Sequence, residues 1–237
     1  AGGAIGRNLG REREMDQDEA FRRVWQTFRT FDRLADGRHN TADWRSHEGQ
    51  YALCVVRVPP NALDPRLDEC RRALAAHPHV RMHPDRFLHI SLQELGFVCE
   101  TPGRPDEITR RRLEEFATSA VGAIAERAPF DVLLGGINSF QDAAFLDVHD
   151  GGACAQLHAR LFELAGVQRS PRYAYLPHVT VGHYTAGAPA DGLAADLAPW
   201  RDTRFAAFRA TEIEIVTLRL DEPYPPLESY AVLPLRG

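Results

Sequence analysis

Two short stretches of the same pattern constrain this chain more than any other feature. Each is a run of apolar residues that carries a histidine, one further residue and then a hydroxyl residue. The two pairs are His89 with Ser91 and His178 with Thr180, and the histidines stand 89 positions apart. Side chains two positions apart on an extended strand point to the same face. Each stretch therefore predicts a strand that turns aliphatic residues toward a core and an imidazole beside a hydroxyl to the other face.

Repetition gives this pattern its weight. A single H-x-S/T triplet means little, because both residue types are common and a half-exposed strand histidine explains most such triplets. Two copies in strand-like context, at a spacing consistent with internal duplication, are more specific. Folding that brings the strands together across a cleft would gather two imidazoles and two hydroxyls. That set of groups suits acid–base chemistry on a phosphate.

With these motifs and their flanks, the chain resembles the 2H phosphoesterase superfamily, whose members carry two H-x-T/S motifs. The sequences His-Ile-Ser-Leu-Gln-Glu-Leu-Gly at 89–96 and Pro-His-Val-Thr-Val at 177–181 are similar to the bacterial RNA 2′,3′-cyclic phosphodiesterase, or 2′-5′ RNA ligase-like, branch. The resemblance covers residues 51–237. It implies two pseudo-symmetric lobes with curved antiparallel sheets around a central groove that the motifs line.

The resemblance also implies a reaction and roles for the motif residues. It implies a metal-independent phosphodiesterase that opens 2′,3′-cyclic phosphates or related 2′-linked nucleotides and RNA ends. Water would attack opposite the leaving ribose oxygen, with His178 as general base and His89 as general acid, to give a 2′-phosphate. The residues themselves leave these two roles interchangeable, and RNA ligation would use the same groups in reverse. Ser91 and Thr180 would donate hydrogen bonds to nonbridging phosphate oxygens. No cofactor is implied.

Further residues are candidates for contact with substrate. Gln93 and Tyr184 share strand parity with the motif histidines and would line the groove, with a plain place on the strand face as the alternative. Arg57 would meet a phosphate, with a solvated surface charge as the alternative. Aromatic residues that would stack on bases, or else simply pack, are Trp44, Phe140, Tyr173 and Tyr175.

His183 is a departure from the family pattern, because the bacterial RNA branch often carries an arginine there. A protonated His183 would still contact an anion. Strand parity puts it on the face opposite His178 unless a bulge intervenes, for instance at Gly182. Ser91 departs less, since it keeps the hydroxyl that Thr commonly supplies and loses the methyl group that restrains its rotamer.

Composition bounds the function classes. The formal net charge of −5 argues against broad electrostatic binding of nucleic acid. All 28 basic residues are Arg, whose planar guanidinium suits phosphate contacts, so a local basic cleft is compatible with the composition. The alternatives are therefore a hydrolase of small cyclic nucleotides or ADP-ribose cyclic phosphate, and a nucleotide- or RNA-binding module with little activity. The histidines at 77, 79 and 83 lack acidic or cysteine partners at fitting spacing, so no metal site is predicted.

The remaining composition fits an ordinary globular protein of the reducing cytoplasm. Four widely spaced cysteines form no C-x-x-C pair, and no apolar run reaches the length of a membrane span. We expect a cytoplasmic monomer that acts on a nucleotide or RNA end, away from membranes. The chain length suits one sizeable domain or two small lobes.

The hydrophobic periodicity predicts an α+β fold with helices outside and an extra helix near the N-terminus. Residues 1–50 are expected to form a tail, a helix and a loop that pack on the main domain at 51–237. Predicted strands cover 51–58, 80–83, 86–98, 130–137, 143–148, 175–184, 211–220 and 229–235, and predicted helices cover 16–34, 61–76, 106–127, 152–165 and 191–197.

Overall fold

A computed structural model describes residues 17–38, 42–167, 174–185, 188–190 and 192–237. It has the predicted α+β class, with one sheet curled into a half-barrel. The strands are β1 (Gln50–Arg57), β2 (Val80–Met82), β3 (His89–Cys99), β4 (Glu107–Thr109), β5 (Phe130–Ser139), β6 (Ala143–His149), β7 (His178–Tyr184), β8 (Arg204–Ala210), β9 (Glu212–Arg219) and β10 (Glu228–Pro234). The helices are α1 (17–28), α2 (Ala42–Arg45), α3 (Arg66–Ala75), α4 (Arg110–Ile124), α5 (Ala153–Ala165) and α6 (Leu193–Leu197).

Two groups of strands meet at the centre of the sheet. The strand order is β10-β9-β1-β3-β7-β6-β5-β8, with β2 added to β7 and β4 added to β3. We call β10, β9, β1 and β3 the first lobe, and β7, β6, β5 and β8 the second lobe. The two motif strands, β3 and β7, are the antiparallel neighbours at the boundary. This arrangement agrees with the two pseudo-symmetric lobes that the family resemblance implies.

Helices cover one face of the sheet, which we call the helix face. α4 and α5 pack on the first lobe, while α3 lies against β2 and α6. In α4 the cap Thr109 accepts a backbone hydrogen bond, and buried residues recur every three or four positions from Leu113 to Ile124. Ile90 and Val179 of the motif strands are fully buried in this core. The motif residues on either side of them therefore point to the other face, which we call the groove face.

The chain before β1 packs on the groove face of the second lobe. Phe21 of α1 is 1% exposed, and its ring centroid lies 6.4 Å from that of Phe145 on β6. The backbone oxygen of Phe21 accepts a hydrogen bond from Asn138 Nδ2 at 3.0 Å. α1 thus closes a part of the sheet that would otherwise line the groove.

The same segment continues past the end of β7 and then onto the first lobe. Gly37 N donates to the Tyr184 backbone oxygen at 3.1 Å, at the end of β7. Trp44 of α2 then packs on Tyr51 and Phe97, with ring centroids 4.7 and 4.9 Å away. We call residues 17–38 and 42–49 the N-terminal segment. The helix and loop expected there pack on the sheet, and the tail predicted over 1–14 lies outside the described residues.

Some predicted boundaries differ from the structure. The strand predicted from 86 begins at His89, because Pro84 initiates a 3-10 turn over Asp85–Phe87. The strand predicted from 175 begins at His178, directly after Pro177. A proline carries no N–H for a strand ladder, so each motif strand starts close to its histidine.

Two other differences have local causes. The helix predicted from 106 begins at Arg110, because residues 107–109 pair with β3 as the short parallel strand β4. The sequence pattern does not predict β8, in which the buried Phe205 stands among alanines and arginines with little alternation. None of the helices in the described ranges has the length and apolar character that a membrane span requires.

Candidate active site

The pairing of the two motif strands brings the four motif residues onto one surface. Ile90 of β3 pairs with Val179 of β7 in antiparallel register. Their neighbours His89, Ser91, His178 and Thr180 are half-buried on the groove face. In this register His89 stands beside Thr180, and Ser91 stands beside His178. His89 and His178 are thus diagonal neighbours. Such neighbours lie about 7–8 Å apart, with somewhat less between their Cβ atoms, a distance that long side chains can bridge.

The two imidazoles are oriented by the same contact. His89 Nδ1 lies 2.6 Å from the backbone oxygen of Phe87, and His178 Nδ1 lies 2.8 Å from that of Leu176. A carbonyl oxygen only accepts, so Nδ1 carries the proton in both rings. In the neutral ring the lone pair is therefore on Nε2, the nitrogen available for proton exchange.

Aromatic rings surround His178. The centroids of Phe140 and Phe145 lie 5.1 and 5.2 Å from that of His178, both edge-on. Burial lowers the pKa of His178 below its ordinary value, against the opposing effects of the Leu176 carbonyl and the Asp142 charge. The ring is thereby favoured in its neutral form. Phe140, a candidate for base stacking, is instead stacked on Phe145 at 4.3 Å.

A β-bulge follows the first motif and reverses strand parity. Ser91 pairs with Val55 of β1, but Gln93 pairs with the next residue, Cys54, so Leu92 is the extra residue. Cys54 is fully buried in the core of the helix face. Gln93 therefore lies on that side, where its Nε2 donates to Glu94 O at 2.7 Å. The expectation that Gln93 lines the groove is corrected by this bulge.

A second bulge follows the second motif at the same distance from the hydroxyl. Thr180 pairs with Phe145 of β6, and Gly182 pairs with Ala144, so Val181 is the extra residue. After it, His183 pairs with Ala143 on the groove face. Simple strand parity would put His183 on the face opposite His178, and this bulge is the exception that brings the two to the same face.

The second bulge also corrects the placement of Tyr184. Tyr184 is fully buried in the core of the helix face, and its hydroxyl lies 2.7 Å from Ser139 Oγ. It does not line the groove. His183 takes the groove position instead, with its Nδ1 3.0 Å from His83 Nε2.

An ion pair flanks each motif histidine. Arg57 stands opposite His89 in register, and its guanidinium donates to both carboxylate oxygens of Glu214, at 2.6 and 3.0 Å. Arg57 also donates to the backbone oxygen of Leu227 at 2.8 Å. Arg57 is thus at the expected place beside the motif, with its charge paired to a carboxylate.

Asp147 is the corresponding residue on the other side. It stands opposite His178 in register and is 3% exposed. Asn138 Nδ2 and Arg201 Nη1 each donate to its carboxylate at 2.9 Å. Burial nevertheless raises the pKa of Asp147 to about 6. The sequence pattern does not single out Asp147 or Arg201, because they stand 54 positions apart and neither belongs to a recognisable motif.

The other described aromatic candidates contact neighbouring side chains of the protein. The Tyr175 hydroxyl donates to the backbone oxygen of Ser91 at 3.0 Å, and its ring stacks on His158 with centroids 4.1 Å apart. Trp44 belongs to the cluster over Tyr51. Tyr173 lies outside the described residues. Within the described ranges, no three His, Cys, Asp or Glu side chains converge to hold a metal ion.

The family of this chain is shown by comparison with known proteins. Residues 59–222 match a family model described as the 2′-5′ RNA ligase superfamily. The chain belongs to this superfamily. The resemblance drawn from the two motifs is confirmed. The 2′-5′ RNA ligase superfamily comprises enzymes of the phosphoesterase and ligase type. Comparison with curated protein sequences gave no match.

Solved structures with the superfamily fold are similar over most of the chain. E. coli LigT complexed with 3′-AMP is 14% identical with a TM-score of 0.57, covering 80% of this chain and 100% of LigT. TT0787 of Thermus thermophilus is 17% identical with a TM-score of 0.54, covering 79% of this chain and 98% of TT0787. ATU0111 from Agrobacterium tumefaciens is 11% identical with a TM-score of 0.53, covering 78% of this chain and 85% of ATU0111. At these identities the likeness establishes the fold.

Proposed function

We propose that this protein is a metal-independent phosphodiesterase that opens 2′,3′-cyclic phosphates of nucleotides or RNA ends, with His89 and His178 as acid and base. The observation that supports this most is the pairing of Ile90 with Val179. Because of it, two imidazoles and two hydroxyls share one surface. Each imidazole is also oriented through Nδ1, so that Nε2 is the nitrogen that exchanges a proton.

The proposed step balances with these groups alone. Neutral His178 takes a proton from water at Nε2 while the water oxygen bonds to phosphorus. The bond from phosphorus to the ribose 3′ oxygen breaks, and protonated His89 gives its Nε2 proton to that oxygen. The product is a 2′-phosphate. The lowered pKa of His178 supports its assignment as the base.

The hydroxyls have a separate role in the proposal. As charge grows on the nonbridging phosphate oxygens, Ser91 and Thr180 donate hydrogen bonds to them from fixed strand positions. Groups positioned before the reaction stabilise a transition state without further reorganisation. This explains why the motif needs a hydroxyl two residues after each histidine.

Two observations support a small nucleotide as the substrate: the ligands of structurally similar proteins, and the shape of the groove in this chain. LigT of E. coli has been crystallised with 3′-AMP, NADP⁺ and ATP. In the present chain, α1 covers the groove face beside Phe145, and Trp44 covers it beside Tyr51 and Phe97. The motif residues lie between these two covers. Nucleotides and short RNA ends are therefore favoured over long RNA, and ADP-ribose cyclic phosphate belongs to the same size class.

Turnover of adenosine 2′,3′-cyclic phosphate, with and without EDTA, tests the proposal. We expect the wild-type chain to release the 2′-phosphate at a rate that EDTA leaves unchanged. His89→Ala and His178→Ala should each lose at least about 100-fold in rate, the lower range for a general acid or base. His77→Ala is the matched control, because that ring pairs with Asp196 away from the motifs.

Each outcome has a meaning. Full activity in either motif variant would remove that histidine from the mechanism. Loss of wild-type turnover on chelation would overturn metal independence. Tight nucleotide binding without turnover would identify a binding module in place of an enzyme.

A further inference from the structure

A cavity of about 320 Å³ lies on the groove face of the first lobe, next to the motif residues. Its aromatic walls are Trp44, Phe87 and Tyr224. Within the described residues, its lining also carries four arginines and one glutamate, together with leucine and proline side chains. Its volume is at the small end of the roughly 300–1,000 Å³ typical of ligand pockets. It has room for a ligand of nucleoside size.

The cavity shares walls with the candidate active site. The Phe87 ring centroid lies 5.3 Å from that of His89, edge-on. Tyr224 lies 5.5 Å from Phe87, and its hydroxyl is 3.5 Å from His183 Nδ1. One ring therefore separates the cavity from His89, and another separates it from the groove position of His183. The cavity is therefore adjacent to His89 along the groove face.

Four arginines line the cavity, but Arg38 and Arg219 are ion-paired with Asp36 and Asp221, so an anion would bind through the guanidinium donors that these pairs leave. Asp36 contacts Arg38 through the Nε and Nη2 edge of the guanidinium, so Nη1 is directed away from that carboxylate. Arg81 donates through Nη1 to the backbone oxygens of Pro78 and Val80, which leaves its opposite edge for other partners. Guanidinium groups bind phosphate through paired donors such as the Nε and Nη2 edge of Arg81, and Nη1 of Arg38 would add a single donor.

Tyr224 is held in a costly backbone conformation. Among the described residues it is the one non-glycine residue with positive φ, at +52°. Conformations of this kind are unfavourable for residues other than glycine and are found preferentially at ligand-binding and active sites. Here the conformation turns the tyrosine ring toward Phe87 and His83, at 5.5 and 4.4 Å. The aromatic wall thus exists because the loop before β10 adopts this turn.

Part of the cavity lining lies outside the family match. Arg38 and Trp44 belong to the N-terminal segment, which precedes the family match at 59–222. The family match therefore includes some of the lining residues and leaves out these two.

We propose that this cavity binds the base and 5′-phosphate of the substrate, so that the preferred substrates are nucleoside 5′-phosphates that also carry a 2′,3′-cyclic phosphate. The inference rests on the proposed function. The base packs against Phe87, Trp44 and Tyr224, and the 5′-phosphate accepts hydrogen bonds from Arg38 and Arg81. The cyclic phosphate then lies at His89 and His178.

Two measurements test this inference. The first compares kcat/KM for adenosine 2′,3′-cyclic phosphate with and without a 5′-phosphate. We expect the 5′-phosphate to raise kcat/KM at least about tenfold, as a charge-assisted hydrogen bond would. Arg38→Gln should reduce this ratio toward one through KM, with kcat little changed, and Arg81→Gln is the second such variant. Arg111→Gln on α4, with its side chain 86% exposed, should keep the wild-type ratio.

The second measurement is binding without turnover. By calorimetry, adenosine 2′,5′-bisphosphate should bind wild-type protein at least about tenfold more tightly than adenosine 2′-phosphate, and Arg38→Gln should lose that difference. Equal binding of the two would overturn the inference and leave the proposed function standing. A difference retained in Arg38→Gln and Arg81→Gln, both folded as shown by unchanged thermal unfolding, would also overturn it. A binding preference without any turnover would instead overturn the proposed function.

Discussion

The hydrogen bonds from His89 to Phe87 O and from His178 to Leu176 O fix the tautomer and orientation of the two imidazole rings. Each ring is tied to the carbonyl two residues earlier, at the point where its strand begins. The tautomer is therefore set by the backbone, with no carboxylate as the partner of Nδ1. For His178, burial among aromatic rings lowers the pKa against the opposing effects of the Leu176 carbonyl and the Asp142 charge.

This leads to a prediction for the pH dependence of the reaction. If His178 is the base, kcat/KM rises with pH as that ring loses its proton. Because burial lowers the pKa of His178, the acid limb should lie below pH 6.5, the ordinary value for histidine. The measurement is a pH profile of kcat/KM for a 2′,3′-cyclic nucleotide.

Asp147 titrates in the same range, since burial raises its pKa to about 6, so a control is needed. Asp147→Asn removes that group and should leave an acid limb below pH 6.5 in place. A limb at or above pH 6.5 in the wild type would contradict the assignment, as would its disappearance in Asp147→Asn.

For individual residues, the sequence predicts correctly which face of the strand the motif residues occupy, and predicts the faces of their neighbours poorly. His89, Ser91, His178 and Thr180 obey simple alternation, because they stand within three residues of the start of a strand. Gln93, His183 and Tyr184 stand beyond the bulges, where one extra residue reverses the count. The sequence gives little indication of these bulges. A glycine stands at position 182, where a Cβ would lie 3.1 Å from Arg81 O.

At the scale of elements, the two β-bulges give the motif strands the same construction. In each strand the extra residue comes directly after the hydroxyl, and the strand continues with the opposite parity. A bulge also increases local twist, which helps the sheet to curl. The pseudo-symmetry of the lobes therefore extends from the motif residues to the backbone around them.

The ion pair between Asp147 and Arg201 connects β6 with the segment that precedes β8. Both side chains are largely buried, at 4% and 17% exposed, and lie 2.9 Å apart. Removing one partner of a buried pair leaves an uncompensated charge. Arg201→Met should therefore lower the free energy of unfolding in urea at about pH 7.5 by about 3–5 kcal/mol.

A matched control and a pH series make that prediction specific. Arg209→Met on β8 removes an exposed pair with Asp131 and should cost less than about 1 kcal/mol. For Arg201→Met the loss should shrink as the pH falls below the Asp147 pKa of about 6, since the protonated carboxyl carries no charge. Equal losses in the two variants, or a loss independent of pH, would contradict a buried-charge origin.

Most elements follow from hydrophobic periodicity, and the exceptions have physical reasons. Residues 107–109 read as part of a helix because Ile108 fits the helical stripe, but tertiary pairing with β3 takes them into a strand. β8 lacks a predictive pattern because the adjacent residues Phe205 and Ala206 are both buried, which breaks the alternation of a strand. Neither outcome can be read from local preferences, since both depend on which strand lies alongside.

At the scale of the whole molecule, the N-terminal segment makes the groove narrower than the sheet alone would. α1 covers one side through Phe21, and α2 covers the other side through Trp44. The sequence indicates an amphipathic helix that packs on the main domain. It does not indicate which face is covered, because both faces of the strands β1 and β6 are apolar.

Substitution of Phe21 tests how firmly α1 is attached. Phe21 is 1% exposed against Phe145 and His149, so Phe21→Ala should lower the free energy of unfolding by about 3–5 kcal/mol. Val121→Ala, at a site 45% exposed, should change it by less than about 0.5 kcal/mol. Urea titration measures both. A change of similar size in the two variants would mean that α1 is only loosely attached.

The route of the chain through the sheet has a consequence for biosynthesis. β1 is made well before β9, so one of its edges remains bare until β9 arrives, and β9 in turn waits for β10. Translation adds about 5–20 residues per second, so β1 must wait about 8–30 seconds for β9, with an exposed edge that other polypeptides could pair with. Ribosome-bound intermediates truncated before residue 212 should therefore be the ones that engage chaperones.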